Sequence, residues 1–183
     1  METFGWIIAA WLMADFLSGF WHWLEDRYFD VSWPIVGDYI AKPNQLHHAQ
    51  PSAFLNQSYW SRNYTTIIPA GVALVLLIVC APTSFRAYIS EWCDGLSWYC
   101  LVILFVSQAN EIHAWAHQRC NPTILALQET GLLQSPKHHG QHHRSPFEVK
   151  YCVMSDWLNP ILDLVGFWRA LEWLLSPLIR VRA

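Results

Sequence analysis

Residues 95–117 read GLSWYCLVILFVSQANEIHAWAH, an apolar run that ends in two histidines four positions apart. No side chain from Gly95 to Asn110 is charged, and a bilayer-spanning helix needs about 20 mostly apolar residues. The helix is expected to extend outward through His117, which would put His113 and His117 on one face. Two other stretches have the same character. One runs from about Phe4 to Leu24 and is interrupted only by Asp15; the other runs from about Tyr64 to Ser84 without a charge. Three such stretches in 183 residues argue against buried core helices of a soluble domain. The first is read as a retained membrane helix, not a signal peptide, because no basic region precedes it.

Composition agrees. Hydrophobic residues make up 54% of the chain and charged residues 14%, against roughly 25% charged in soluble proteins. Twelve Trp is a large excess, and Trp favours the membrane–water boundary. The formal charge of −3 and the lack of a basic run argue against nucleic acid as a partner. The five cysteines (Cys80, Cys93, Cys100, Cys120 and Cys152) form no CxxC pair and suggest neither a disulfide scaffold nor a cysteine zinc site.

A last apolar stretch, 157–179, differs. Asn159-Pro160 predicts a helix start, with Asn as cap and Pro in the first turn. Ile161, Val165, Trp168, Leu171 and Leu175 recur at helical spacing, while Asp163, Arg169 and Glu172 fall largely elsewhere. That pattern is an amphipathic helix lying in the interface, with a fourth span as the alternative. Arg86 is the only basic residue between the second and third spans. Arg27, Lys42 and Arg62 lie between the first and second, and Arg119, Lys137, Arg144 and Lys150 follow the third. The positive-inside rule then puts 25–63 and everything after 111 in the cytoplasm, with the N-terminus and 85–94 opposite. The expectation is one domain: an all-α integral membrane protein of three or four transmembrane helices with a cytoplasmic His-rich helical cap.

The nine histidines fall in four groups: His22; His47 and His48; His113 and His117; His138, His139, His142 and His143. On this topology all lie at one membrane face. Helical i, i+4 spacing pairs His22 with Asp26, His113 with His117, His138 with His142 and His139 with His143. Ser135-Pro136 would start the last helix, and Ser145-Pro146-Phe147-Glu148 resembles a capping box for a following one. A lone histidine is most simply a hydrogen-bonded structural residue. The set is too many for one four-coordinate zinc, so two metals are the simpler count. Imidazole suits iron, zinc or copper. Asp15, seven residues before His22, could hold that imidazole through a hydrogen bond or make a helix–helix contact. Asn110 and Glu111 could orient ligands or cap a helix end. HExxH and GxSxG are absent, as are a phosphate loop and a dinucleotide fingerprint, so a reductant would arrive with a partner.

ADFLSGFWHWLED (14–26), PIVG (34–37), LHHAQP (46–51), Asn63, NEIHAWAH (110–117), LQETGLLQSPKHHGQHHRSP (127–146), YCVMSDWLNPILD (151–163) and GFWRALE (166–172) cover nearly the whole chain in order. As an ordered set they resemble the plasmanylethanolamine desaturase (Kua-type lipid desaturase) family. The resemblance implies a di-iron centre that uses O2 and electrons from an external protein, cytochrome b5-like or ferredoxin-like. It implies removal of two hydrogens from neighbouring carbons of an intact phospholipid, most typically giving a plasmalogen vinyl ether, in a bacterial inner membrane or endoplasmic reticulum. His22, Asp26, His47, His48, His113, His117, His139, His142 and His143 match motif positions. His138 also matches, although an HxxHH site needs only the later three. Asn63 would bind metal through water or orient substrate. Family members carry a glycine where this chain has Tyr64, and a hydrophobic segment before the first motif. Three other functions fit the same residues: a hydroxylase or sterol-type oxidase of like chemistry, a bis-His haem protein, and a non-catalytic metal carrier.

Overall fold

The structure, a computed structural model, describes residues 2–80 and 95–177. Every regular element among them is helical. In chain order these are α1 (Glu2–Arg27), a π-helical turn (Gly37–Ala41), α2 (Lys42–Ala49), α3 (Pro51–Leu55), α4 (Tyr59–Cys80), α5 (Gly95–Val106), α6 (Ala109–Ala116), α7 (Pro122–Glu129), α8 (Pro136–His142), α9 (Leu158–Leu164) and α10 (Phe167–Leu175). α1 packs along α5, and α4 packs on α5 and α6. Ala10 and Ala14, one turn apart on α1, are fully buried in a cluster with Val102, Ala109 and Ile112. Small side chains at that seam let two helix backbones approach closely. The Trp98 indole of α5 closes the far end by donating to the Trp6 carbonyl (3.1 Å).

One irregular segment, 151–156, is buried almost throughout. Its backbone must find partners away from water, and α1 supplies them along a single stripe. The Asp15 carboxylate accepts the Met154 (3.0 Å) and Ser155 (3.2 Å) amides and the Ser155 hydroxyl (2.5 Å). The Ser18 hydroxyl accepts the Val153 amide (3.3 Å). Gly19 leaves room for the chain: a Cβ there would stand 2.5 Å from Cys152 Sγ and 2.8 Å from its backbone nitrogen. On the other side, the Gln134 side-chain amide donates to the Cys152 carbonyl (2.6 Å) and its backbone amide to that of Met154 (2.8 Å).

Among the described residues one helix, Thr3–Arg27, is long and apolar enough to cross a membrane. Several local expectations are revised. The expected second span is helical to Cys80; its end at 81–84, the opposite-side loop 85–94 with Arg86 and Cys93, and the end of the last apolar stretch at 178–179 lie outside the described residues. The third does not run unbroken to His117. It divides at Ser107-Gln108, where the Ser107 hydroxyl donates to the Leu104 carbonyl (2.8 Å) and the Gln108 amide reaches back only three residues, to Phe105 (3.0 Å). A serine that bonds backbone competes with the helical ladder.

Asn159 does not cap a helix. It is fully buried and pairs with Cys152 both ways, accepting its amide (2.9 Å) and donating to its carbonyl (2.7 Å). The last helix is two: α9 and α10 meet at Gly166, whose φ of +64° breaks the helical run. Ser145–Glu148 starts no helix. Phe147 turns the chain with φ +61°, and Glu148 faces Arg27 and Arg169. Ser135-Pro136 does start α8, the Ser135 hydroxyl accepting the His138 amide (3.2 Å).

Gly19→Ala should cost about 1–3 kcal/mol of stability, the range for forcing atoms into a filled core. Denaturation of the purified protein checks this, and an unchanged midpoint would contradict the close approach of 151–156 to α1.

Candidate metal centre

Histidines from α1, α2, α6 and α8 converge into two adjoining groups. His47, His113, His117, His139 and His143 form one; His22, Asp26, His48 and His142 form the other. Within each, one potential ligand atom per residue lies within 4.8 Å of all the rest. Metal–nitrogen bonds of roughly 2.1 Å place any two ligands of one ion no more than about 4.2 Å apart, so each group is close to the size of one ion's ligand shell. Adjacent histidines explain why there are two groups. Successive helix positions diverge by about 100°, so His47 and His48, and likewise His142 and His143, each send one ring to either group.

In the larger group, His113 Nε2 lies 2.8 Å from His139 Nε2 and 3.2 Å from His117 Nε2, and His139 Nε2 lies 2.9 Å from His143 Nε2. A neutral imidazole nitrogen has one in-plane site, holding a proton or a lone pair. His113 and His139 each meet two others, so no tautomers give every contact a linear hydrogen bond. Both ring nitrogens of His47 are buried without a partner. A cation facing these lone pairs would satisfy all of them.

In the smaller group the tautomers are set by backbone. His22 Nδ1–H donates to the Tyr151 carbonyl (3.1 Å) and His142 Nδ1–H to that of Val149 (2.8 Å). Both Nε2 lone pairs then face Asp26 Oδ2, at 3.7 and 3.3 Å, and all three atoms are buried without hydrogen bonds. The other carboxylate oxygen accepts the Asn44 amide (2.6 Å) and lies 3.0 Å from His48 Nε2. Carbonyls and amides that orient ligands in this way are the usual companions of bound metal. The donor set of nitrogen with one carboxylate fits iron, zinc or copper.

The family model for the lipid desaturase domain matches residues 11–183. The chain belongs to that family. It is similar to plasmanylethanolamine desaturase 1 of Mus musculus (34% identical, over 94% of this chain and 64% of the relative). It is also similar to plasmanylethanolamine desaturase of Myxococcus xanthus (30%, over 93% and 59%) and to the chloroplastic fatty acid desaturase 4-like 1 of Arabidopsis thaliana (33%, over 90% and 53%). The chain thus spans between about half and two thirds of the length of these relatives. No solved structure matches it.

Other residues singled out from sequence lie outside the two groups. His138 belongs to the first turn of α8, and its Nδ1 lies 3.8 Å from Asp156 rather than among the other rings. Asp15 holds the 151–156 backbone and has no bond to His22. The Asn63 amide donates to the Tyr59 carbonyl (2.8 Å), and its buried oxygen has no partner. Asn110 donates to the Arg62 carbonyl (2.7 Å), and Glu111 receives the Arg62 guanidinium (2.8 Å), so both tie α6 to α4. Asn44 was missed, although it precedes His48 by four residues on α2, the same spacing used elsewhere. Tyr151 and Val149 act through carbonyls, which carry no sequence signature.

A cavity of about 360 Å³ adjoins the groups, with His22, His47 and His113 in its wall. Leu17, Pro69, Ala70, Ala73 and Val106 line it beyond the histidines. Small residues on α4 leave this space, while Ile68, Val72, Val75, Leu76 and Val79 stand exposed on the same helix.

Burial, reinforced by neighbouring imidazoles whose protonated forms would repel, holds His113 and His139 well below the ordinary imidazole range. The same causes lower His47 and His143, and bring His117 to about 4. An unfolded chain takes up protons as pH falls through the ordinary 6.5, whereas the folded chain refuses them, so acid favours unfolding. Metal-stripped protein should therefore lose stability progressively as pH drops from 6.5 towards 4. Denaturation midpoints against pH check this, and a flat profile over that window would contradict it.

Proposed function

We propose that this chain is a membrane-embedded, di-iron, O2-dependent lipid desaturase that acts on a hydrocarbon chain of an intact phospholipid. The favoured reaction converts an alkyl ether lipid to the vinyl ether of a plasmalogen. The observation that carries the reading is the junction of two buried, nitrogen-rich ligand groups with an apolar cavity walled by His22, His47 and His113. The names of the mouse and Myxococcus relatives support the substrate.

One ion would be held by His47, His113, His117, His139 and His143, the other by His22, Asp26, His48 and His142. Iron bound there supplies the activation of O2 and the one-electron chemistry that breaks C–H bonds. The protein's part is placement. Leu17, Ala70 and Ala73 offer an aliphatic chain an apolar wall and keep water from it. Carbonyls of Tyr151 and Val149 keep the His22 and His142 protons on Nδ1, so that each Nε2 presents its lone pair. Asn44 holds the Asp26 carboxylate towards the same point. His117 and His143 are the partly exposed members of their group, the edge nearest an external electron-transfer protein, cytochrome b5-like or ferredoxin-like.

The membrane reading rests on α1 and on the apolar residues that α4 and α5 leave exposed, Val75, Val79 and Leu104 among them. Lipid, not water, is the solvent for such a surface. α4 and α5 would span beside α1, with the histidines at the cytoplasmic end.

Expression in a host that makes alkyl ether lipids but no plasmalogens tests the function by lipid mass spectrometry. The expected product is lighter than its precursor by two hydrogens and carries an acid-labile vinyl ether. A product heavier by one oxygen would instead identify a hydroxylase. His117→Ala should insert and yet form no product, whereas His138→Ala should remain active; an active His117→Ala protein with full iron would remove His117 from the ligands.

A further inference from the structure

The cavity beside the histidines has two long walls that stand apart. α1 supplies Leu17 and Trp21, and α4 supplies Thr66, Pro69, Ala70 and Ala73. Both helices pack on α5 but hardly touch each other, and Val106 of α5 floors the gap. On α4 the wall runs from Tyr64 to Ala73, about 14 Å at the helical rise per residue. Small side chains on a membrane helix usually mark where a second helix packs closely. Ala70 and Ala73 instead border an open cleft. The Thr66 hydroxyl is already given to the Asn63 carbonyl (2.9 Å), so the wall from Thr66 to Ala73 is apolar in character.

The two ends of the cleft differ. At the histidine end polar bonds tie it across. The Tyr64 hydroxyl donates to the Tyr39 carbonyl (2.6 Å), joining α4 to the π-helical turn. Arg62 Nη1 donates to the Leu55 and Gln57 carbonyls (3.2 and 2.7 Å), joining α4 to α3 and the residues after it. Further along, Leu17 is 38% exposed and Ala73 is exposed, although both line the cavity. The cleft therefore opens sideways between the helices. Its rims continue into exposed apolar residues, Met13 on α1 and Val72 and Val75 on α4, the kind of surface for which lipid is the solvent. A hydrocarbon chain lying in a bilayer would pass from one apolar surface to another without crossing water. At the inner end it would meet His22, His47 and His113.

We infer that the cleft between α1 and α4 is a side entrance through which a hydrocarbon chain of a bilayer lipid reaches the histidine groups, with Leu17 and Ala73 at its mouth. This rests on the proposal that a lipid chain occupies the cavity. Neither mouth residue carries a ligand atom, so they govern passage alone.

Photo-labelling tests it. The iron-loaded protein, kept without reductant so that no turnover occurs, is placed in phosphatidylcholine vesicles. These carry a trace of phosphatidylcholine with a diazirine in mid-chain, and peptide mass spectrometry locates the labels after illumination. The wild type should be labelled on outward residues of α4, Val72 and Val75, and also inside the cleft, at Ala70 and Val106. Ala73→Trp should lose the inside labels and keep the outward ones, and Leu17→Trp should do the same from the opposite wall. Val75→Trp, on the outward side, should keep the inside labels. A wild type labelled only outside overturns the inference, whether or not the variants fold, and leaves the cleft to a protein neighbour such as a second copy of the chain. Inside labels that persist in both plugged variants overturn it too, because the chain would then enter elsewhere. Inside labelling with no desaturated product from alkyl ether lipids would contradict the proposed reaction and leave the entrance intact. Desaturation with outward labels alone would do the reverse.

Discussion

A buried imidazole nitrogen without a proton needs something positive in its plane, and this chain turns several such nitrogens towards one another. His113 and His139 each lie within hydrogen-bond distance of two other rings through the same Nε2 atom. No distribution of protons satisfies both contacts in line. Beside them Asp26 Oδ2 faces the Nε2 atoms of His22 and His142, all buried and unpartnered. Each such atom carries a penalty of about 1–3 kcal/mol when left unsatisfied. Several of them together are comparable with the roughly 5–15 kcal/mol by which domains are ordinarily stable. A helical fold that holds these groups together is best understood as one completed by cations.

The rest of the architecture keeps the rings in place. α1 carries Asp15, Ser18, Gly19 and His22 on one stripe, and all four act on 151–156. The first two receive its amides, Gly19 makes room for Cys152, and His22 donates to Tyr151. The segment is irregular, but its polar backbone atoms find partners on α1, on Gln134 and on Asn159. Its approach fixes the tautomer of His22, so packing in the core and the chemistry of the centre are one arrangement. α10 closes the same side, where Glu172 receives Arg27 of α1 (2.6 Å). On the opposite side Arg62 and Glu111 bind α4 to α6, leaving a cavity bounded by the histidines and by small residues of α4.

Much of this was legible before any coordinates, because side-chain identity at helical spacing survives folding. His113 and His117, His139 and His143, and His22 and Asp26 meet as their i, i+4 spacing predicts. What was not legible depended on partners distant in sequence. Asn159-Pro160 has the local pattern of a helix cap, yet tertiary pairing with Cys152 overrode it. The sequence offers His22 or a neighbouring helix as the partner of Asp15, but its carboxylate takes two backbone amides, which any residue could supply, and the Ser155 hydroxyl. The division of the third apolar stretch at Ser107-Gln108 follows from side-chain bonding that hydropathy does not register. His138 shares the spacing of its neighbours and still faces Asp156, because a helix places its first turn by what lies beside it.

The central claim is that two ligand groups hold two irons, and metal stoichiometry tests it most directly. Protein purified without chelators and analysed by inductively coupled plasma mass spectrometry, with Mössbauer spectra of an iron-57 preparation, should contain two irons per chain in nitrogen-rich sites. A single zinc per chain, or no tightly bound metal in folded protein, would contradict the account.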